Sequence, residues 1–219
     1  MIITIDGTAS SGKSTITKQL SKVLKMPMLT TGSIYRAITL KVLNNKIDYT
    51  DDNKLKEMLK NTKLRSQYSG DGTIIYLDDQ ICEKDQLGSP IVSNTTPLIA
   101  CKPFVREFVR KIQRETAKNS KDIIVEGRDI GTVVFPNADF KFFIDASLEE
   151  RAKRRMKEYQ KNNPNITLKE VIKDLDKRDK EDEHRDISPL VKAVDAILID
   201  TTAIAAEEAV EMMIKYIKK

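Results

Sequence analysis

The run Gly7-Thr8-Ala9-Ser10-Ser11-Gly12-Lys13-Ser14 follows directly on an Ile-rich stretch, Ile2-Ile3-Thr4-Ile5-Asp6, and leads into a helical pattern from Thr15. An apolar strand, a loop of the form G-x-x-x-x-G-K-[ST] and a helix together make the phosphate-binding loop. Each residue type has a physical reason to be there. Gly7 and Gly12 allow the tight bend that turns successive N–H groups inward, toward phosphate oxygens. The first turn of the helix adds unpaired N–H groups and the positive end of its dipole. Lys13 supplies a point charge for the terminal phosphates, and the Ser14 hydroxyl is a ligand for Mg²⁺. Residues 7–15 are therefore expected to bind a nucleoside triphosphate.

The rest of the chain alternates strands with helices. Residues 13–25 carry Ile16, Leu20, Val23 and Leu24 on one helical stripe. Met26-Pro27 ends that helix, because the residue before a proline disfavours it. A short extended piece at 28–29 precedes a helix over 33–44, with Ile34, Tyr35, Ile38 and Val42 as its apolar side. Residues 51–60 are a charged helix. Residues 61–90 read as a small antiparallel insert, with one turn at Ser69-Gly70-Asp71-Gly72 and another from Asp78-Asp79. A helix starting at about 95 or 102 runs to 118, and Arg106, Arg110 and Arg114 step along the face opposite Val105, Val109 and Ile112.

Buried strands follow at 122–125 and 140–144, and the last at 196–200. A helix over 203–217 closes the chain, packing through Ile204, Val210, Ile214 and Ile217. Capping boxes at Ser147–Glu150 and Thr167–Glu170 open two helices joined by an Asn162-Asn163-Pro164-Asn165 turn. Together 147–185 read as a charged helical hairpin with little core of its own, suited to a mobile lid. The expected fold is a doubly wound α/β domain with a five-stranded parallel sheet, a helical lid and a small antiparallel β insert. Its core spans about 1–30, 91–146 and 186–219, with the insert-bearing region at 31–90.

Composition narrows the ligand. The chain has 219 residues, of which 40% are hydrophobic, and its apolar runs are far too short for a membrane span. Met1 leads straight into a strand, leaving no room for a signal peptide. Cys82 and Cys101 read as reduced thiols, and the cytoplasm is the expected compartment. A net charge of +5 suits an anionic ligand. Of 38 basic residues only 11 are arginine, so arginine clusters mark places where a planar, bidentate guanidinium is needed. Arg128 and Asp129 follow a strand end, where ligands of open α/β sheets gather. Arg151, Arg154 and Arg155 share one helix face, and Arg178, Asp182 and Arg185 share another. Aromatics make up only 5% of the chain, which disfavours nucleic acid and favours small phosphorylated ligands. The lone His184 falls on a solvated helix face. A monomer is expected, since no apolar helix face is left unexplained.

Three functions fit a phosphate-binding loop: a small-molecule kinase, a GTP-dependent switch, or a nucleic-acid motor. Asn45-Lys46-Ile47-Asp48 and Asp85-Gln86-Leu87-Gly88 match guanine-nucleotide signatures, but in reversed order and away from strand ends. The Asp-Glu pair that a motor needs at a strand end is missing from the sequence. A kinase remains.

Four stretches then carry a specific resemblance: 5–15; Thr31-Gly32-Ser33-Ile34-Tyr35-Arg36-Ala37; Gly127-Arg128-Asp129-Ile130-Gly131-Thr132-Val133-Val134-Phe135-Pro136; and Asp145-Ala146-Ser147 with Glu150-Arg151-Ala152-Lys153-Arg154-Arg155. A fifth runs from Arg178 and Asp182 through Arg185 and Ser188-Pro189-Leu190 to Asp200-Thr201-Thr202. The chain resembles the bacterial cytidylate kinases of the nucleoside monophosphate kinase superfamily. The resemblance implies transfer of the γ-phosphoryl group of ATP to CMP or dCMP with Mg²⁺; UMP or another small phosphate acceptor is the alternative. It implies that Thr31 and Arg36 contact the monophosphate, and that Arg106, Arg128 and Asp129 recognise the base and acceptor phosphate. Arg178 and Asp182 would hold the sugar, Arg185 the phosphate, and Arg151 and Arg155 the ATP. Lys13, Arg128 and Arg185 would act in catalysis. Pro97 departs from the family, which often has a base-bonding serine there, and Glu181 stands where some members have a second lid arginine.

Overall fold

A computed structural model describes residues 1–69, 72–160 and 164–218. Gly70 and Asp71 of the expected hairpin turn, and Asn162 and Asn163 of the expected inter-helix turn, lie outside them. The chain forms two compact units, Met1–Lys25 with Ile124–Lys219, and Met26–Ile123.

The strands β1 (Ile2–Gly7), β2 (Met28–Thr30), β6 (Ile123–Glu126), β7 (Phe140–Asp145) and β8 (Ile197–Asp200) form a five-stranded parallel sheet ordered β2-β6-β1-β7-β8. In the first unit β1 pairs with β7 from Ile3↔Phe140 to Gly7↔Ile144, and β7 with β8 from Phe142↔Ile197 to Asp145↔Asp200. Ile3, Ile5, Ile124, Val125, Phe142 and Ile144 are buried, as strands covered on both faces require. Helix α1 (Lys13–Leu24) follows β1 and packs beside the C-terminal helix α9 (Ala206–Ile217). Val23 was expected on the buried stripe of α1 but is exposed. The stripe instead runs through Ile16, Thr17, Leu20 and Ser21, all buried, which leaves Val23 on the flank. On α9 the buried residues are Ala209, Val210 and Met213; Ile204 precedes the helix.

The first unit also holds α7 (Leu148–Tyr159) and α8 (Leu168–His184). The box at Thr167–Glu170 forms in full. At Ser147 only half forms: its hydroxyl accepts the Glu150 amide, while the Glu150 carboxylate pairs with Arg154. The hairpin was expected to have little core. It has one: Ala152, Val171 and Leu175 are buried together with Ala9 of the phosphate loop, and Leu148, Met156, Tyr159 and Ile172 pack around them.

In the second unit α2 (Thr31–Asn44) follows β2, and α3 (Asp52–Lys60) opens on an Asp51 cap that accepts two backbone amides. Strands β3 (Leu64–Ser69), β4 (Gly72–Leu77) and β5 (Gln80–Ile81) make the antiparallel insert, with Asp78 and Asp79 in the left-handed conformation that a tight hairpin turn needs. The insert is shorter than expected: Glu83 and Gln86 form a capping box, and 84–88 become α4 (Lys84–Gly88). The helix expected from about 95 or 102 up to 118 takes the later start as α6 (Pro103–Lys118), and a separate helix, α5 (Pro90–Ala100), precedes it. Lys102 turns extended before Pro103, which itself suits a first helical position. Arg106 does not share an outer face with Arg110 and Arg114. It is buried beside Val105 and Val109 on a broader stripe. Ile91 and Leu98, about two turns apart on α5, are exposed, so an apolar helix face is left uncovered, contrary to expectation.

Candidate active site

The phosphate loop is assembled at the end of β1. Gly7 has φ +143, and a Cβ there would stand 1.9 Å from the Ile144 carbonyl oxygen of the neighbouring strand. No other residue can take that position without moving β7. Ser10 and Gly12 are left-handed, with φ of 59 and 92. Three of the loop's carbonyls are held by hydrogen bonds. The Thr8 carbonyl accepts from the Lys13 ammonium and from the Ser11 hydroxyl (3.0 Å), and Lys13 also reaches Ser11 Oγ at 3.3 Å. The Ala9 carbonyl accepts from Arg151, and the Ser11 carbonyl from Arg154 and from Thr201 Oγ1. Thr8 Oγ1 donates to Asp145 at 2.7 Å. Thr15 is exposed on the first turn of α1.

Beyond β6 the chain reaches Arg128 and Asp129, then makes a single wide turn over Ile130–Val134. Asp6, at the end of β1, holds this turn: its two carboxylate oxygens accept the amides of Ile130 (2.9 Å) and Gly131 (2.7 Å). Burial raises the Asp6 carboxyl to about 6, against the pull of those two amides. Ser14 Oγ donates to Glu126 at 3.0 Å. A hydroxyl beside a carboxylate is a hard oxygen donor set, the kind Mg²⁺ takes.

The end of α8 carries the charged cluster. Asp182 accepts from Arg128 Nε at 3.0 Å and from Arg185 at 3.2 Å. Burial pushes its carboxyl up, but Arg128, Arg185 and Arg178 together pull it below the ordinary value. Arg185 also donates to the Ser188 carbonyl. Lys13 lies within the same field. Burial drives its ammonium well below the usual range, and the charges of Arg128 and Arg178 add to that against Glu126 and Asp182. Lys13, Arg128, Arg178, Asp182 and Arg185 are thus brought together in one unit, with Asp129 buried on the same loop.

The other expected residues fall elsewhere. Arg151 is buried with its guanidinium on Ala146, Ala9 and Asp179. Arg155 pairs with Glu158 at 2.5 Å and lies 4.4 Å from the Tyr159 ring. Within the second unit, Thr31 is buried at the start of α2, Arg36 donates to the Leu87 carbonyl, and Arg106 donates to Ala100 with Tyr35 5.6 Å away. Pro97 lies inside α5, and the neighbouring Thr96 hydroxyl is bonded to Val92 and Thr39. Sequence reasoning missed Asp6, Glu126, Asp179 and Thr201. Asp6 and Glu126 left a usable signal, a carboxylate at the end of a largely apolar strand, and Thr201 lay in a stretch that carries the family resemblance.

A family model described as cytidylate kinase matches residues 3–219. The chain belongs to the cytidylate kinase family. Curated relatives named cytidylate kinase include that of Caldanaerobacter subterraneus subsp. tengcongensis, 42% identical over 217 residues that cover 99% of this chain and 94% of the relative. That of Clostridioides difficile is 40% identical, covering 99% and 98%. The family is one of nucleoside monophosphate kinases, which makes this chain an enzyme. Among solved structures, shikimate kinase from Bacteroides thetaiotaomicron aligns with a TM-score of 0.51 at 10% identity, covering 100% of this chain and 99% of the other. That likeness bears on the fold alone.

Proposed function

We propose that this cytidylate kinase family member moves the γ-phosphoryl group of ATP to the phosphate of CMP or dCMP, releasing ADP and the diphosphate. The observation that carries the reading is that Arg128 and Arg185 both bond Asp182, at 3.0 and 3.2 Å, with the charge of Arg178 acting on the same carboxylate and on Lys13. So many cations in one place, a buried Lys13 and three half-buried arginines, are stabilised by a polyanion, and two nucleotides meeting phosphate to phosphate supply one.

ATP phosphates lie against the inward amides of residues 7–15, with Lys13 on the terminal phosphates. Ser14 and Glu126 would hold Mg²⁺, whose chemistry is to offset phosphate charge. Arg155 meets ATP from α7. On the acceptor side Thr31, Arg36 and Arg106 serve the monophosphate and base, Asp129 the base, and Arg178 and Asp182 the sugar. Arg128 and Arg185 carry the charge that spreads over the equatorial oxygens in the transition state. The reaction calls for no covalent intermediate; orientation and fixed positive charge lower the barrier. Among the described residues no helix is long and apolar enough to cross a membrane; the reading is of a cytoplasmic enzyme acting on small nucleotides rather than nucleic acid.

A coupled assay of ADP release with each common nucleoside monophosphate tests the reading. CMP and dCMP should accelerate ATP consumption, with UMP weaker. Equal rates with and without every monophosphate would overturn it.

A further inference from the structure

Helix α7 turns two arginines toward the phosphate loop, and both land on its carbonyls rather than on the side where its amides point. Arg151 is 6% exposed; its NH1 donates to the Ala9 carbonyl at 3.2 Å and to Asp179 Oδ2 at 2.6 Å, while Nε donates to the Ala146 carbonyl at 2.9 Å. Arg154 NH1 donates to the Ser11 carbonyl at 3.3 Å and to Thr201 Oγ1, and its NH2 to the Thr201 carbonyl at 2.6 Å. Thr201, itself 2% exposed, places its own hydroxyl on the same Ser11 carbonyl at 2.9 Å. A peptide unit is planar and trans, so its C=O and N–H point in opposite directions. Anchoring the Ala9 carbonyl fixes where the Ser10 N–H points; anchoring the Ser11 carbonyl does the same for the Gly12 N–H. Ser10 and Gly12 are the two left-handed positions of the loop beyond Gly7; glycine takes that conformation freely, so the backbone strain falls on Ser10.

We infer that Arg151 and Arg154, with Asp179 and Thr201 behind them, are positioning residues that aim the amides of Ser10 and Gly12 at the ATP phosphates. Arg151 then serves ATP binding without touching ATP. Asp179 Oδ1 has no hydrogen-bond partner among the described residues, so the hold of Asp179 on the brace is its one bond to Arg151.

The inference rests on the ATP-binding reading, and the test separates the two. Binding of a non-hydrolysable ATP analogue with Mg²⁺, and of CMP, is measured by calorimetry on the full chain for wild type, Arg151→Met, Arg154→Met, Thr201→Val and Asp179→Asn. Each arginine variant should weaken the ATP analogue about tenfold and the two supporting variants about fivefold, one hydrogen bond's worth, with CMP affinity within about twofold of wild type. In ¹⁵N spectra the Ser10 amide should move in Arg151→Met and the Gly12 amide in Arg154→Met. Weakening confined to the arginine variants, with Thr201→Val and Asp179→Asn at wild-type affinity, would mean direct contact with ATP and overturn the brace. Wild-type affinities in every variant, with lowered melting temperatures, would reduce it to a stability role and also overturn it. If Arg151→Met does not fold, Arg154→Met and Thr201→Val decide. A wild type that fails to bind the analogue would instead remove the ATP reading itself.

Discussion

Two groups of arginines in the same unit are used in opposite ways. On α7, Arg151 and Arg154 are taken up by the protein's own acceptors: Ala146, Ala9, Asp179, Glu150, Ser11 and Thr201. Around the end of α8, Arg128, Arg178 and Arg185 converge on Asp182, and Lys13 feels two of them as repulsion. The first group satisfies neutral carbonyls and two ion pairs, and so belongs to a finished scaffold. The second concentrates positive charge, which costs stability until anions arrive. A guanidinium's role is thus decided by what accepts from it, not by the helix face it shares with other arginines.

That contrast can be broken or sharpened by experiment. The largest effect is expected at Lys13, in the charged group: Lys13→Met should lower kcat roughly a thousandfold while leaving the melting temperature at or above wild type, because a buried charge is removed. A clear loss of stability in that variant would mean Lys13 belongs to the scaffold. Gly7→Ala should do the reverse. Its Cβ would lie 1.9 Å from the Ile144 carbonyl oxygen, so chemical denaturation should show a loss of more than about 3 kcal/mol.

Asp6 ties the loop bearing Arg128 to β1, and its carboxyl is raised from 3.8 to about 6 by burial. The folded protein binds that proton more tightly than the unfolded chain does, so its contribution to stability falls as pH rises from about 4 to about 6, by about 3 kcal/mol in all. Urea midpoints across that window should drop with pH in wild type and less steeply in Asp6→Asn; parallel curves would remove the effect. Asp182 acts in a different window. Its carboxyl is depressed, so its stabilisation is complete above 3.8 and is lost as pH falls through the lower folded value.

Arg185→Ala should lower kcat about a hundredfold, near 2.7 kcal/mol of transition-state stabilisation, with the fold intact. Near-normal turnover would take Arg185 out of the reaction. The smallest effect is expected at His184, its exposed neighbour, whose ring bonds the Lys180 carbonyl at 2.9 Å. His184→Gln should change stability by less than about 0.5 kcal/mol and kcat by less than about twofold.

Local pattern determined what could be read from residues alone. The phosphate loop, the five strands, the Thr167 capping box and the turn at Asp78-Asp79 each depend on a few neighbouring residues, so spacing and residue type were enough. The proximity of Arg128, Asp182 and Arg185 followed from strand-end and helix-face rules together with the family resemblance. Tertiary structure decided the rest. Arg106 buries itself against a backbone carbonyl and a Tyr35 ring that helical periodicity does not include. Val23 lost its place to Thr17 and Ser21, because the stripe of α1 that is covered depends on what packs there. Arg151 and Arg154 have the same helical spacing whether they face a nucleotide or the back of the loop. Only the fold brings Ala9, Ser11, Asp179 and Thr201 to them, across sequence separations of 142, 143, 28 and 47 residues. A hydrogen-bond partner that distant leaves no periodic trace in the chain, and that is why the brace had to be seen in three dimensions.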